Sequence, residues 1–105
     1  MIDVREYNDR AGLSPYKAWF DQLNPQAAVK VAVAVTRMAL GNFSNVKGVG
    51  SGVLECRINF GPGYRVYFGE DGEHLVILLG GGSKKRQQRD IQAAVANWQD
   101  YKRRK

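Results

Sequence analysis

The sequence predicts an α+β fold: an antiparallel β-sheet with two N-terminal helices packed on one face and a C-terminal helix, in the order β-α-α-β-β-β-α. Three observations predict it. Residues 52–68, GVLECRINFGPGYRVYF, alternate apolar and polar on both sides of Gly61-Pro62-Gly63, as two antiparallel strands joined by a tight loop do. Two proline-led starts, Ser14-Pro15 and Asn24-Pro25, each open a stretch of helical apolar spacing. After Ser83, the positions Ile91, Ala94, Val95, Trp98 and Tyr101 mark the buried face of a last helix.

Taken in order, residues 1–7 read as a short edge strand, with Ile2 and Val4 alternating against Asp3 and Arg5. Residues 8–13 turn. Ser14 caps the first helix, whose apolar face is Tyr16, Trp19, Phe20 and Leu23. The second helix runs from Pro25 to about Leu40, with Lys30 and Arg37 on one exposed stripe, and stops at Gly41-Asn42. Residues 43–51 read as a glycine-rich loop around Lys47. In the central hairpin a three-residue loop sets Phe60 opposite Tyr64, Asn59 opposite Arg65 and Arg57 opposite Tyr67. Leu54, Cys56, Ile58, Tyr64, Val66 and Phe68 then share one face, and a one-residue slip would break that match. Asp71-Gly72 suits a second tight turn, which pairs Phe68 with Leu75, Val66 with Ile77 and Tyr64 with Leu79. That register turns Val76 and Leu78 toward Arg65 and Tyr67, and predicts a basic groove with an apolar floor. Ser83 is placed to cap the third helix, and residues 102–105 read as a frayed basic tail.

Length and composition narrow the function classes. One hundred and five residues with 44% apolar content make one domain with a modest core. A single cysteine excludes a disulfide framework, and with a single histidine it argues against a transition-metal site. Cys56 falls on the apolar face as an inert thiol. No apolar run approaches the ~20 residues that span a bilayer, and no signal-peptide core is present, so a cytoplasmic location is expected. The net charge is +6 and unevenly placed. Residues 1–83 hold eight basic and eight acidic side chains; residues 84–105 hold eight basic and two acidic. A balanced body with one basic end suits a polyanionic partner, or is a solubilising tail. Lys84, Lys85 and Arg86 open the last helix, where cations are unfavourable unless an anion joins them. The run GGGSKK lacks the spacing of a nucleotide-binding P-loop.

Two stretches carry a resemblance: LECRI, then GPGYRVY, followed at fixed distance by GGSK and QQRDI. Together they resemble the addiction-module killer proteins, small HigB-like toxins of the RelE/ParE superfamily. The resemblance runs from the N-terminus to about Ala94 and implies a RelE-like fold. It also implies a type II toxin: a ribosome-dependent mRNA endoribonuclease that needs no metal or small-molecule cofactor. Such an enzyme drives the ribose 2′-hydroxyl onto the adjacent phosphate. The partners implied are the ribosome, mRNA and a cognate antitoxin, expected as a helix-turn-helix protein from the adjacent gene. The resemblance places basic catalytic positions at Arg57, Arg65 and Lys84, with Asn59 where relatives can carry another cation. The chain departs from the family at Asp90, which stands where some relatives have a tyrosine or histidine for proton transfer and is expected to assist that step. Lys47, Asn59, Tyr67, Lys85, Arg86 and Arg89 are expected as RNA contacts. Arg65 is expected to brace the scissile phosphate, and Arg65→Ala to abolish toxicity without disturbing the fold. Other readings stay open at the residue level. Arg57 and Arg65 could form a cross-strand ladder with Glu55 and Tyr67, and Asp90 could cap the helix or pair with Arg86. The superfamily also contains ParE-like gyrase inhibitors, which bind a protein and cut nothing, and an inactive antitoxin-binding relative would look the same.

Overall fold

The computed structural model describes residues 1–105. Its elements are β1 (Asp3–Glu6), α1 (Pro15–Phe20), α2 (Pro25–Ala39), β2 (Val46–Gly50), β3 (Val53–Ile58), β4 (Tyr64–Glu70), β5 (Leu75–Ser83), a 3₁₀ turn (Lys84–Arg86) and α3 (Gln87–Arg104). The strands form one sheet in the order β1-β5-β4-β3-β2. β2 to β5 meander antiparallel, while β1 joins β5 in parallel, so the sheet is mixed rather than wholly antiparallel. The chain makes five strands, one more than its pattern predicts. The additional one is β2, inside the stretch that reads as a loop. Gly48 and Gly50 hide its alternation, and pairing with β3 supplies the order that intrinsic propensity lacks.

The two proline-led starts behave as their chemistry requires. Ser14 Oγ accepts from the Lys17 amide at 3.0 Å, and Asn24 Oδ1 accepts from the Ala27 amide at 2.9 Å. Each satisfies an orphan donor of a first turn whose proline has none to offer. α1 and α2 cover one face of the sheet, where Val31 and Met38 meet Cys56, Val66, Phe68, Val76 and Leu78. α3 covers part of the other face, where Ala94 and Trp98 meet Val53, Tyr67, Ile77 and Leu79. β5 is thus apolar on both sides, which explains its unbroken run Val76–Leu79.

Both hairpins depart from the registers that the pattern suggests, with different consequences. In the first, Ile58 pairs with Tyr64, Arg57 with Arg65 and Glu55 with Tyr67. The connection is five residues, Asn59–Gly63, because Gly61 and Gly63 take positive φ and Pro62 has no amide to pair. This is a shift of two, and a side-chain period of two leaves every face assignment intact. In the second, Phe68 pairs with Leu78 and Gly69 with Ile77, an odd shift beyond a bulge between Tyr67 and Phe68. Val76 and Leu78 therefore face α1 and α2, and Ile77 and Leu79 lie under α3. The predicted apolar floor beside Arg65 is overturned in its residues: Tyr67, Ile77 and Leu79 occupy that side, and α3 buries them.

Two glycines of β5 separate close packing from open space. A Cβ on Gly81 would collide with the Trp19 ring of α1, whereas one on Gly80 would meet nothing within 4 Å. Gly81→Ala should therefore lower stability by about 1–3 kcal/mol through overpacking. Gly80→Ala should stay near neutral. Thermal melts of the pair check the contrast.

The helix continues through Arg104, into the stretch that reads as a basic tail. Asp100 accepts from Tyr7 Oη at 2.6 Å and pairs with Arg104 at 2.8 Å; Asp71 accepts from Tyr101 Oη at 2.7 Å and pairs with Lys105 at 2.6 Å. Hydrogen bonds, from Lys105 and Tyr101 at Asp71 and from Tyr7 and Arg104 at Asp100, hold both carboxyls below the usual range. No helix is long and apolar enough to cross a membrane.

Candidate functional site

The site begins at the pairing of Arg57 with Arg65 across β3 and β4. Like charges directly opposite each other on a sheet are destabilising, so something must offset them. For Arg65 the offset is visible. Its Nε lies 3.5 Å from Glu55 Oε2, and its Nη1 donates to the Gly63 carbonyl at 3.0 Å. Glu55 is fully buried, 0% exposed, and Arg65 is 5% exposed. Gln87, the first residue of α3, donates to Glu55 Oε2 at 2.8 Å, and Lys47 Nζ stands 4.0 Å from Oε1. Arg57 is different. It is exposed, and its guanidinium has neither an ion pair nor a hydrogen bond within the protein.

Lys84 joins this pair through the backbone. Its amide donates to the Gly63 carbonyl at 3.0 Å, the same oxygen that takes Arg65 Nη1. A Cβ on Gly63 would lie 3.7 Å from Arg65 Nη1 and 3.9 Å from Lys84 Cβ. Residues from β4 and the turn after β5 therefore meet around one glycine, and Arg57 of β3 pairs with Arg65, the first of them. Ser83 ends β5 without a side-chain cap, and Lys84, Lys85 and Arg86 occupy a 3₁₀ turn ahead of α3 rather than its first turn. The three are exposed, as is Arg89.

Asp90 lies on the same side. It sits in the first turn of α3 with its carboxyl against Gly82, the residue paired with Arg65. A Cβ at position 82 would collide with Asp90 Oδ2 and come within 2.7 Å of Cγ. Only glycine lets the carboxyl approach β5 so closely. Burial pushes the Asp90 pKa up, against the opposing pull of Arg86 and Arg89. It makes no ion pair with Arg86 within 4 Å.

The remaining expected contacts divide. Lys47 and Asn59 are exposed and line one groove with Arg57, of about 260 Å³. Asn59 belongs to the turn and does not oppose Arg65. Tyr67 is corrected outright: it is 0% exposed beneath α3, so its ring cannot stack on a base. Burial first, and the Glu55 carboxylate next, raise its phenol pKa well above the ordinary value. Cys56 is buried, and burial pushes its thiol up. The cross-strand ladder reading is half right, since Glu55 meets Arg65 on the diagonal while Arg57 is left free. Glu55 and Gln87 are central here: the sequence names Glu55 only as a ladder partner and Gln87 only within the QQRDI motif, not as a bonded pair. The signal available was a lone acidic residue on the basic face of β3.

Around Glu55, three buried polar atoms have no hydrogen-bond partner: Glu55 Oε1, Arg65 Nε and Tyr67 Oη. The exposed Arg57 guanidinium is unpaired on the strand next to Arg65, and Lys84 is exposed on the turn whose backbone bonds to Gly63. Cations on this surface can attract an anion, with Asp90, a carboxyl of raised pKa, on the same side.

The family model described as "Phage derived protein Gp49-like (DUF891)" matches residues 18–98, a stretch that includes every side chain of this site. An "Uncharacterized protein" of Haemophilus influenzae is 41% identical over 80 residues, 75% of this chain and 81% of its own.

Proposed function

Because the chain belongs to the Gp49-like family of phage-derived proteins, a toxin-like family related to RelE/ParE-type addiction modules, we propose that it is the toxin of a type II toxin–antitoxin pair and cuts mRNA on the ribosome. The observation that carries this reading is the free Arg57 guanidinium paired across the sheet with Arg65, beside the Lys84 turn. Two like charges pair across adjacent strands and the buried carboxylate meets only one of them, which favours a phosphodiester as the missing counter-charge.

In the proposed reaction, Asp90 takes the proton of the ribose 2′-hydroxyl. The O2′–P bond forms and the P–O5′ bond breaks, leaving a 2′,3′-cyclic phosphate and a 5′-hydroxyl. Arg57 and Arg65 offset the charge that grows on the non-bridging oxygens. Lys84 neutralises the departing 5′ oxygen, which gains its proton there or from solvent. The raised Asp90 pKa suits a base at neutral pH better than an ordinary carboxylate would. Lys85, Arg86 and Arg89 supply the wider attraction for the RNA backbone. A cognate antitoxin carrying acidic side chains would meet the same surface.

A translating extract tests the reading. Added protein should shorten transcripts at codon-phased positions, and purified ends should carry cyclic phosphate. Intact transcripts together with cleaved or unrelaxed plasmid DNA would move the protein to the gyrase-inhibitor class.

A further inference from the structure

We infer that the RNA strand crossing Arg57 continues into a groove between α2 and the first hairpin, where Lys30 and Arg37 hold its backbone. The inference rests on the nuclease reading and extends it from one phosphate to the path of the chain. Arg57 borders several grooves, two of them large. The one toward Lys47 and Ser44 has a volume of about 260 Å³, and the one toward Lys30 and Arg37 about 330 Å³. Asn45 and Asn59 line both, so the two run into each other around Arg57.

The second groove has the chemistry of a single-stranded polyanion site. Lys30, Arg37 and Arg57 make no ion pair. No acidic residue occurs from Gln22 to Leu54, so nothing on α2 or the loop after it neutralises them. Lys30 and Arg37 lie two helical turns apart, about 10 Å along the axis. Beside them the wall is apolar: Val29 and Val33 line the same groove and are 60% and 41% exposed. The Phe60 ring lies under Lys30, whose Nζ is 5.7 Å from its centroid. Amide side chains read base edges, and apolar or aromatic walls take base faces. An acidic homopolymer such as polyglutamate would match the cations alone. A single strand of RNA matches the cations, the amides and the wall.

The test is binding of a short labelled oligoribonucleotide to the purified full chain across a salt series. Each phosphate contact removed should lower the slope of log K against log salt by about 0.7, so Lys30→Ala/Arg37→Ala should lower it by about 1.4. Its affinity at moderate salt should fall on the order of tenfold. Both positions are exposed on a helix that favours alanine, so folding is not at stake. Lys102→Ala/Arg103→Ala removes the same charge away from the groove and should bind nearly as wild type. Equal losses in the two double variants, or an unchanged slope in the first, would overturn the proposal. So would groove-dependent binding of polyglutamate that RNA fails to displace. Cleavage in the extract separates the two readings. Wild-type protein that cuts nothing, yet loses RNA affinity only through Lys30 and Arg37, removes the nuclease and keeps the groove; normal cutting with unchanged affinity in the double variant removes the groove alone.

Discussion

Arg65→Ala is expected to lose about 3–5 kcal/mol of folding stability, and to be recovered largely unfolded or aggregated rather than folded and inactive. The reason is Glu55. Its carboxylate is shut away from water, and its neighbours are Arg65 at 3.5 Å, Gln87 at 2.8 Å and the exposed Lys47 at 4.0 Å. Removing the guanidinium leaves a carboxylate inside the fold with one neutral hydrogen bond and a distant, solvated cation. That is the costly way to break a buried pair; replacing both partners by neutral groups of similar size costs far less. A domain typically has only about 5–15 kcal/mol in hand. The check is a set of urea melts on Arg65→Ala, Glu55→Gln and Arg65→Met/Glu55→Gln. The double variant should recover much of what the single arginine variant loses. A folded Arg65→Ala protein melting with the wild type would show that Glu55 does not depend on Arg65. The expectation from sequence was the reverse, an intact fold, because alternation along β4 marks Arg65 as polar without saying that α3 covers its neighbours.

The same limit runs through the rest of the molecule. Helix starts are legible because they rest on local chemistry: Ser14 and Asn24 cap with their own side chains, and no distant residue is needed. The faces of β3 and β4 are legible because an error of two residues in register does not move a side chain to the other face. β5 is apolar on both sides, so its alternation carries no information about which side is which. The odd shift at the Tyr67–Phe68 bulge follows from that ambiguity. β2 is invisible locally, since two glycines stand in its five residues and only its partner strand orders it. Site residues divide the same way. Arg57, Arg65 and Lys84 are singled out by pattern; Arg65 and Lys84 meet at Gly63, and Arg57 lies opposite Arg65 on the neighbouring strand. Glu55 and Gln87 are brought together across 32 positions by the docking of α3, as is the cover over Tyr67. That docking depends on Trp98 lying against Gly69, a contact no periodicity in either element predicts.

Arg57 is therefore the residue on which the proposed chemistry can be read without interference from folding. Arg57→Ala removes an exposed guanidinium with no partner in the protein, so its melting free energy should stay within about 0.5 kcal/mol of wild type. It also relieves the like-charge pairing with Arg65, which offsets part of any lost packing. Cleavage on the ribosome should fall by about 10²–10³-fold, the usual cost of losing one preorganised charge at a developing oxyanion. Arg57→Lys should recover only part of this, because an ammonium lacks the planar fork that grips two phosphate oxygens. The pH profile adds an independent reading. With Asp90 as base and its pKa raised by burial, the rate should climb as Asp90 loses its proton, at a pH above the ordinary carboxylate range. Asp90→Asn should flatten that rise, and Arg57→Ala should lower the whole curve without shifting it. An Arg57→Ala protein that cleaves as fast as wild type would take the phosphate away from the paired guanidiniums, and the proposed mechanism with it.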